Sequence, residues 1–172
     1  MALREIERRA AALLEQHRHY KPPIDVQLLC QQLGIELVLE ELDDEISGVL
    51  VTKRQPVIAV NRQHGRARQR FTIAHEIGHF ILHKTRKDAV FVDRAAIHFR
   101  NQVSSAGIDP AEVAANNFAA ALLMPQNMLV EDLKSIDEGI ADVQVIRLAR
   151  KYGVSEQAMN IRLARLDFVS YI

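Results

Sequence analysis

Two histidines four residues apart enclose a glutamate near the middle of the chain, in the segment His75-Glu76-Ile77-Gly78-His79. On a helix, residues i and i+4 project from the same face, so both imidazoles can reach one metal ion. Glu76 lies about 100° around the helix from His75, beside such an ion, where it can accept a proton from metal-bound water. Zinc lowers the pKa of that water to about 7. This pattern predicts a zinc-dependent peptidase site with Glu76 as the general base.

The residues around the motif are typical of a buried helix. Its apolar members are Ile73, Ala74, Ile77, Phe80 and Ile81. Gly78 costs helix stability, about 1 kcal/mol relative to alanine, so we expect another backbone to approach closely at this position. The alternative is two unrelated histidines on a buried helix, and it would leave polar groups in the core without partners, which is costly.

A third ligand must come from another part of the chain, because a catalytic zinc usually has three protein ligands and one open position. Glu112 is our candidate, since it begins a predicted helix that is otherwise mainly Ala, Leu and Val. Asn116 follows four residues later on the same face, where its amide can fix the tautomer of a ligand histidine. The alternative for Glu112 is a first-turn glutamate that stabilises the helix dipole.

Two separated segments carry a resemblance to a known family. They are residues 70–79, Arg-Phe-Thr-Ile-Ala-His-Glu-Ile-Gly-His, and residues 115–125, Ala-Asn-Asn-Phe-Ala-Ala-Ala-Leu-Leu-Met-Pro. Together, and in this order, they resemble the ImmA/IrrE family of metallopeptidases over about residues 20–130. The resemblance implies a gluzincin-like core with zinc bound by His75, His79 and Glu112. Many relatives have a second acidic residue just before the Ala-Asn pair, where this chain has Ala114.

The resemblance also implies a regulatory role. Members of the family often act on, or pair with, helix-turn-helix repressors encoded nearby, and some resemble the effector half of a toxin–antitoxin pair. The implied function is a zinc endopeptidase of narrow specificity whose substrate is a helix-turn-helix repressor or antitoxin. The alternative is a metal-stabilised toxin or regulatory binding module whose peptidase chemistry is not used.

The C-terminal part has the pattern of a helix-turn-helix. Helices are predicted over 139–151 and 155–167, with Gly153 at the turn and Ser155 as an N-cap. Arg162 and Arg165 lie on the second helix, so a DNA-binding regulator acting through residues 139–167 is a third hypothesis. We favour packing of these helices on the core, because such pairs frequently have only that role.

The remaining elements follow from apolar periodicity. Further helices are predicted over 2–18, 25–33, 64–83, 111–123 and 126–133, and strands over 35–39, 48–52 and 56–61. The fold class is α+β: a small three-stranded, mainly antiparallel sheet, ending in a hairpin, packs against a zincin-like helical core with C-terminal helices. Residues 84–108 are interpreted as a mixed, polar connection. We divide the chain into a metallopeptidase domain with N-terminal helices, 1–134, and a helical extension packed on it, 135–172.

Composition narrows the remaining choices. Lys+Arg and Asp+Glu number 22 each, so net charge gives no indication of a polyanionic partner. Cys30 is the only cysteine, which excludes an intrachain disulfide and a cysteine zinc cluster, and we expect it to be a small buried side chain on a helix. The sequence contains neither an apolar run of membrane-spanning length nor a signal-peptide pattern. We therefore expect a cytoplasmic location.

Several polar residues have weaker signals. His98, Arg100 and Tyr152 are oxyanion-stabilising candidates by residue type alone, although a surface or packing role explains each better. His83 continues the four-residue spacing as a group outside the ligand set. A run of arginines precedes the motif: Arg62, Arg66, Arg68 and Arg70. It fits nucleic acid or an acidic partner, but a solvated helix start is the favoured interpretation.

Overall fold

The computed structural model describes residues 1–83, 90–94, 109–134 and 140–168. These residues form seven helices: α1 (Leu3–Gln16), α2 (Val26–Gln32), α3 (Arg66–Leu82), α4 (Pro110–Leu123), α5 (Gln126–Leu133), α6 (Asp142–Tyr152) and α7 (Glu156–Arg165). They also form four strands: β1 (Glu36–Glu40), β2 (Ile46–Thr52), β3 (Pro56–Asn61) and β4 (Val90–Arg94). The α+β class is confirmed. No helix in the described ranges is long and apolar enough to cross a membrane.

The sheet differs from the prediction. Its strand order is β1-β3-β2-β4, with β2 antiparallel to both of its neighbours and β1 parallel to β3. The β2–β3 hairpin is as predicted, but three strands was wrong, because β4 lies inside the stretch interpreted as a connection. Only five residues form β4, so its alternation is short, and pairing with β2 stabilises it in a way that local sequence does not reveal.

Side-chain caps begin three of the helices. Asp25 accepts hydrogen bonds from the backbone at the start of α2, Asp109 does so at α4, and Ser155 does so at α7. The Asp109 cap is followed by Pro110, whose fixed φ suits the first helical position. Since Glu112 lies in the first turn of α4, this cap also fixes where the Glu112 side chain begins.

Helix α3 lies between the sheet and α4. A Cβ atom at Gly78 would lie 3.2 Å from both the Cα and the carbonyl oxygen of Ala115. The expected close backbone approach at Gly78 is therefore confirmed, and the partner is α4. On the opposite side, a Cβ at Gly48 of β2 would lie 2.4 Å from Cγ2 of Thr72. The two glycines let α3 pack tightly against both of its neighbours.

The C-terminal helices contribute to the same hydrophobic core as the rest of the chain, through Leu148, Tyr152, Met159 and Leu163. Polar contacts add to this packing, since Arg70 of α3 donates hydrogen bonds to the carbonyl oxygens of Gly153, at 3.0 Å, and Tyr152, at 3.3 Å. These contacts join the end of α6 to the helix that carries the motif. The division of the chain at residue 134 remains a prediction.

Candidate metal centre

Two helices bring the three predicted ligands together. His75 and His79 are one turn apart on α3, and Glu112 reaches them from the first turn of α4. The two Nε2 atoms lie 2.9 Å apart, and Glu112 places one carboxylate oxygen 3.2 Å from each of them. The histidine side chains are 0% and 1% exposed, whereas that of Glu112 is 19% exposed. The triangle is therefore open to solvent on the Glu112 side only.

The dimensions and chemistry of this triangle fit a zinc ion. Zinc–nitrogen bonds of about 2.0–2.1 Å place the ligand atoms of a tetrahedral site about 3.3 Å apart, close to the observed spacing. Two imidazoles and a carboxylate are also a donor set that zinc accepts. Although burial acts to raise it, contact with His75 and His79 lowers the pKa of Glu112 well below its ordinary value. Glu112 is thus the carboxylate form that a metal needs, and its role as a ligand remains a prediction.

Asn116 holds one of the two imidazoles. Its Oδ1 lies 2.9 Å from Nδ1 of His75, so the Nδ1–H of a neutral ring can donate to it. The Nε2 lone pair then faces Glu112 and His79. Asn116 therefore stands where the outer partner of a ligand histidine is required, which is the position that its spacing from Glu112 predicted.

Glu76 lies behind the triangle and is completely buried. Neither of its carboxylate oxygens has a hydrogen-bond partner among the described residues. Burial, together with the charges of Asp93 and Glu112, raises the pKa of Glu76 well above 4.5. The raised pKa makes its carboxylate a stronger base than an exposed glutamate, as a general base near neutral pH requires.

Strand β4 contributes two residues that the sequence prediction missed. Its residues alternate, with Val90 and Val92 exposed and Asp93 buried. Asp93 lies within reach of Glu76, since ligand atoms of Asp93, Glu76 and His75 all fall within 4.8 Å of one another. Phe91 stacks on the His79 ring, with centroids 4.7 Å apart. The alternation Val-Phe-Val-Asp was the available signal.

The weaker candidates fall outside the centre or outside the described residues. Tyr152 is fully buried, and its hydroxyl donates to Asp132 at 2.9 Å. Burial and this contact raise the pKa of Tyr152, so it has the favoured packing role. His83 lies at the end of α3, with its ring 5.7 Å from that of His79. His98 and Arg100 lie outside the described residues.

Most of the arginines that suggested nucleic-acid binding make contacts within the protein. Arg62 donates to the carbonyl of Leu39 at 2.7 Å, and Arg68 donates to Ser47 at 3.1 Å. With Arg70 bound at the end of α6, the solvated helix start was wrong for three of the four residues. These contacts weaken the case for a basic binding surface.

The C-terminal arginines are engaged in the same way. Arg162 is 3% exposed, donates to the Met124 carbonyl, and forms a two-pronged ion pair with Glu7. Arg165 donates to Asn117 at 2.5 Å. These are the two residues that the DNA-binding hypothesis required to be available. The packing role that we favoured for this helix pair explains them better.

Comparison with known proteins gives three findings. A peptidase family model described as the IrrE N-terminal-like domain matches residues 30–164. Uncharacterized immunity region protein 2 of Bacillus phage phi105 is 29% identical over 119 residues, which is 69% of this chain and 69% of that protein. A solved structure of a Mycobacterium tuberculosis transcriptional regulator superposes with a TM-score of 0.64 at 18% identity, a likeness of fold alone. The match covers 93% of this chain but only 47% of the regulator, so the chain spans about half of its length.

Proposed function

The chain belongs to the IrrE N-terminal-like peptidase family, and we propose that it is a zinc-dependent endopeptidase of narrow, regulatory specificity. The observation that carries this proposal is the triangle of His75, His79 and Glu112, with the buried carboxyl of Glu76 behind it. Two histidines and a carboxylate leave one position of a four-coordinate zinc open, which is the arrangement of a catalytic site.

The residues around the triangle divide the work of hydrolysis. Zinc, when bound, supplies Lewis acidity to the scissile carbonyl and acidifies a water molecule. Glu76 takes the proton from that water as the water oxygen attacks the carbonyl carbon. The same carboxyl then gives the proton to the departing nitrogen, so the peptide C–N bond breaks into a free acid and a free amine. Asn116 keeps His75 in the tautomer whose Nε2 can bind metal.

The substrate is proposed to be an extended peptide that lies along β4. Within the described sheet β4 has a neighbour on one side only, so its outer backbone groups can pair with an added strand. Phe91 of β4 contacts His79, so a peptide paired with this strand would pass beside the triangle. A substrate that must add a strand has to present an unfolded segment, which favours narrow specificity over general proteolysis.

A helix-turn-helix repressor or antitoxin is the proposed protein substrate. The phage relative is named for an immunity region, and the structural neighbour is called a transcriptional regulator. Both names agree with the regulatory role that the family resemblance implies. DNA binding through residues 139–167 is not retained, because Arg162 and Arg165 are engaged inside the protein.

The test is incubation of the zinc-loaded protein with the repressor encoded beside it, followed by mass spectrometry of the products. We expect one or a few cleavage sites with wild-type protein and none with Glu76→Gln, although that variant keeps its metal. Fragments that form equally fast with Glu76→Gln would reject Glu76 as the base. A cellular effect that survives this substitution would point instead to a metal-stabilised binding module.

A further inference from the structure

The two histidines of the triangle are oriented by different means. Nδ1 of His75 has Asn116 as its partner, at 2.9 Å. Nδ1 of His79 is buried and has no hydrogen-bond partner among the described residues. A ligand histidine is ordinarily held by a hydrogen bond from its second nitrogen, and the torsion that turns the ring has a broad, shallow preference. Something other than a hydrogen bond must therefore fix the His79 ring.

Phe91 is the described residue that makes flat contact with that ring. The two ring planes are inclined by 22° with centroids 4.7 Å apart, whereas the His83 ring is tilted by 38° at 5.7 Å. A rotation of His79 about its own ring torsion would end this stacking and carry Nε2 out of the triangle. Stacking of this kind stabilises an aromatic pair beyond the area that it buries.

We propose that Phe91 is the positioning residue for His79, and that stacking replaces the hydrogen bond that Asn116 supplies to His75. The inference rests on the proposed metal site and extends it from α3 and α4 to the sheet. Phe91 lies on β4, and its neighbours Val90 and Val92, 56% and 42% exposed, face away from α3. One side of the metal centre is therefore built by a strand at the edge of the described sheet, outside both motif segments.

The proposal requires an aromatic ring and not merely a hydrophobic side chain at position 91. Zinc affinity is to be measured by chelator competition for the wild type and for Phe91→Leu, Phe91→Tyr and Val92→Ala. We expect Phe91→Leu to weaken zinc binding about tenfold, the lower end for loss of a residue that orients a ligand. Phe91→Tyr keeps the ring and should stay within about twofold of wild type. Val92→Ala is the control on the same strand.

Two further measurements separate positioning from simple packing. Thermal unfolding of the metal-free proteins reports whether Phe91→Leu has merely destabilised the fold. The absorption spectrum of the Co²⁺-loaded proteins reports the geometry around the ion, and we expect a changed spectrum in Phe91→Leu alone. Zinc affinity and a Co²⁺ spectrum equal to wild type in a folded Phe91→Leu protein would overturn the proposal.

The outcome is distinguishable from failure of the proposed function. Wild-type protein that binds zinc but cleaves no repressor would reject the peptidase and leave the role of Phe91 intact. Wild-type protein that binds neither zinc nor Co²⁺ would overturn the metal site and the role of Phe91 together. Affinity that falls in Phe91→Leu and returns in Phe91→Tyr supports the proposal whether or not a substrate is found.

Discussion

Oδ1 of Asn116 lies 2.9 Å from Nδ1 of His75, so a residue on α4 sets the proton position of a histidine on α3. The same helix carries Glu112 one turn earlier. Helix α4 thus supplies both a candidate ligand and the group that orients another, and the centre depends on how α3 and α4 are packed together.

Replacing Asn116 should weaken metal binding without disturbing the fold. Asn116→Leu removes the acceptor, so His75 can place its proton on Nε2 and lose its ligand lone pair. We expect zinc affinity to fall about 10- to 100-fold, measured by competition with a chelator. Asn116→Asp, which keeps an acceptor oxygen, is the matched control and should retain most of the affinity. Equal loss in both variants would contradict a role in fixing the tautomer.

Glu76→Gln should separate metal binding from catalysis. Loss of the general base should lower peptide cleavage at least about 100-fold, while zinc content, measured by atomic absorption, stays stoichiometric. Loss of zinc together with activity would instead mark Glu76 as a ligand.

The same substitution should change how the stability of the metal-free protein depends on pH. Burial and the charges of Asp93 and Glu112 raise the pKa of Glu76 above 4.5. The unfolded chain therefore releases this proton first, and wild-type stability falls as pH rises from about 4.5 through the raised pKa. Glutamine cannot ionise, so Glu76→Gln should gain stability over wild type at pH 8 more than at pH 5. Melting curves of both proteins at several pH values test this, and parallel curves would contradict it.

Gly78→Ala should loosen the contact between α3 and α4. The new methyl group would meet backbone atoms of Ala115 at 3.2 Å, and backbone cannot yield as a flexible side chain can. We expect a loss of about 1–3 kcal/mol in the free energy of unfolding, with weaker zinc binding because Glu112 and Asn116 move with α4. Gly65→Ala, at the start of α3 with no atom within 4 Å of the new methyl, is the control. Denaturant titration with and without zinc measures both effects.

Arg162→Ala should destabilise the protein strongly. Its guanidinium is buried and binds both Glu7 of α1 and the carbonyl oxygen of Met124, so its loss leaves partly buried acceptors without a donor. The cost of breaking such a pair is about 3–5 kcal/mol. Arg147→Ala, at an exposed position of α6, should change stability by less than about 0.5 kcal/mol. A wild-type gel-shift titration at low salt should show no DNA binding, and a salt-sensitive shift would restore that hypothesis.

Cys30 should be unreactive in the folded protein. It is fully buried on α2, as its sequence context predicted, and burial raises the pKa of its thiol to about 12. Because the thiolate is the reacting species, a thiol reagent at pH 8 should label native protein only as fast as it unfolds. Labelling in denaturant provides the control. Rapid stoichiometric labelling of native protein would show that α2 opens locally.

The sequence alone was sufficient for everything that depends on spacing within one helix. The positions of His75, Glu76 and His79 follow from a helical repeat, and so does the common face of Glu112 and Asn116. The meaning of Gly78 was also readable, because a helix glycine amid good helix formers has few explanations besides a close neighbour. The β2–β3 hairpin followed for the same reason, since adjacent strands joined by a short turn pair locally.

Only the tertiary structure decided what lies across from those faces. Strand β4 forms because β2 offers it a pairing edge, and its alternation over five residues was too short to predict. With β4 came Phe91 against His79 and Asp93 near Glu76. Likewise, Arg162 looked like a solvent-facing helix residue until packing placed it beside Glu7 and Met124. Periodicity specifies which residues share a face, but the partner of that face is set by contacts between segments far apart in sequence, whose pairing no local pattern encodes.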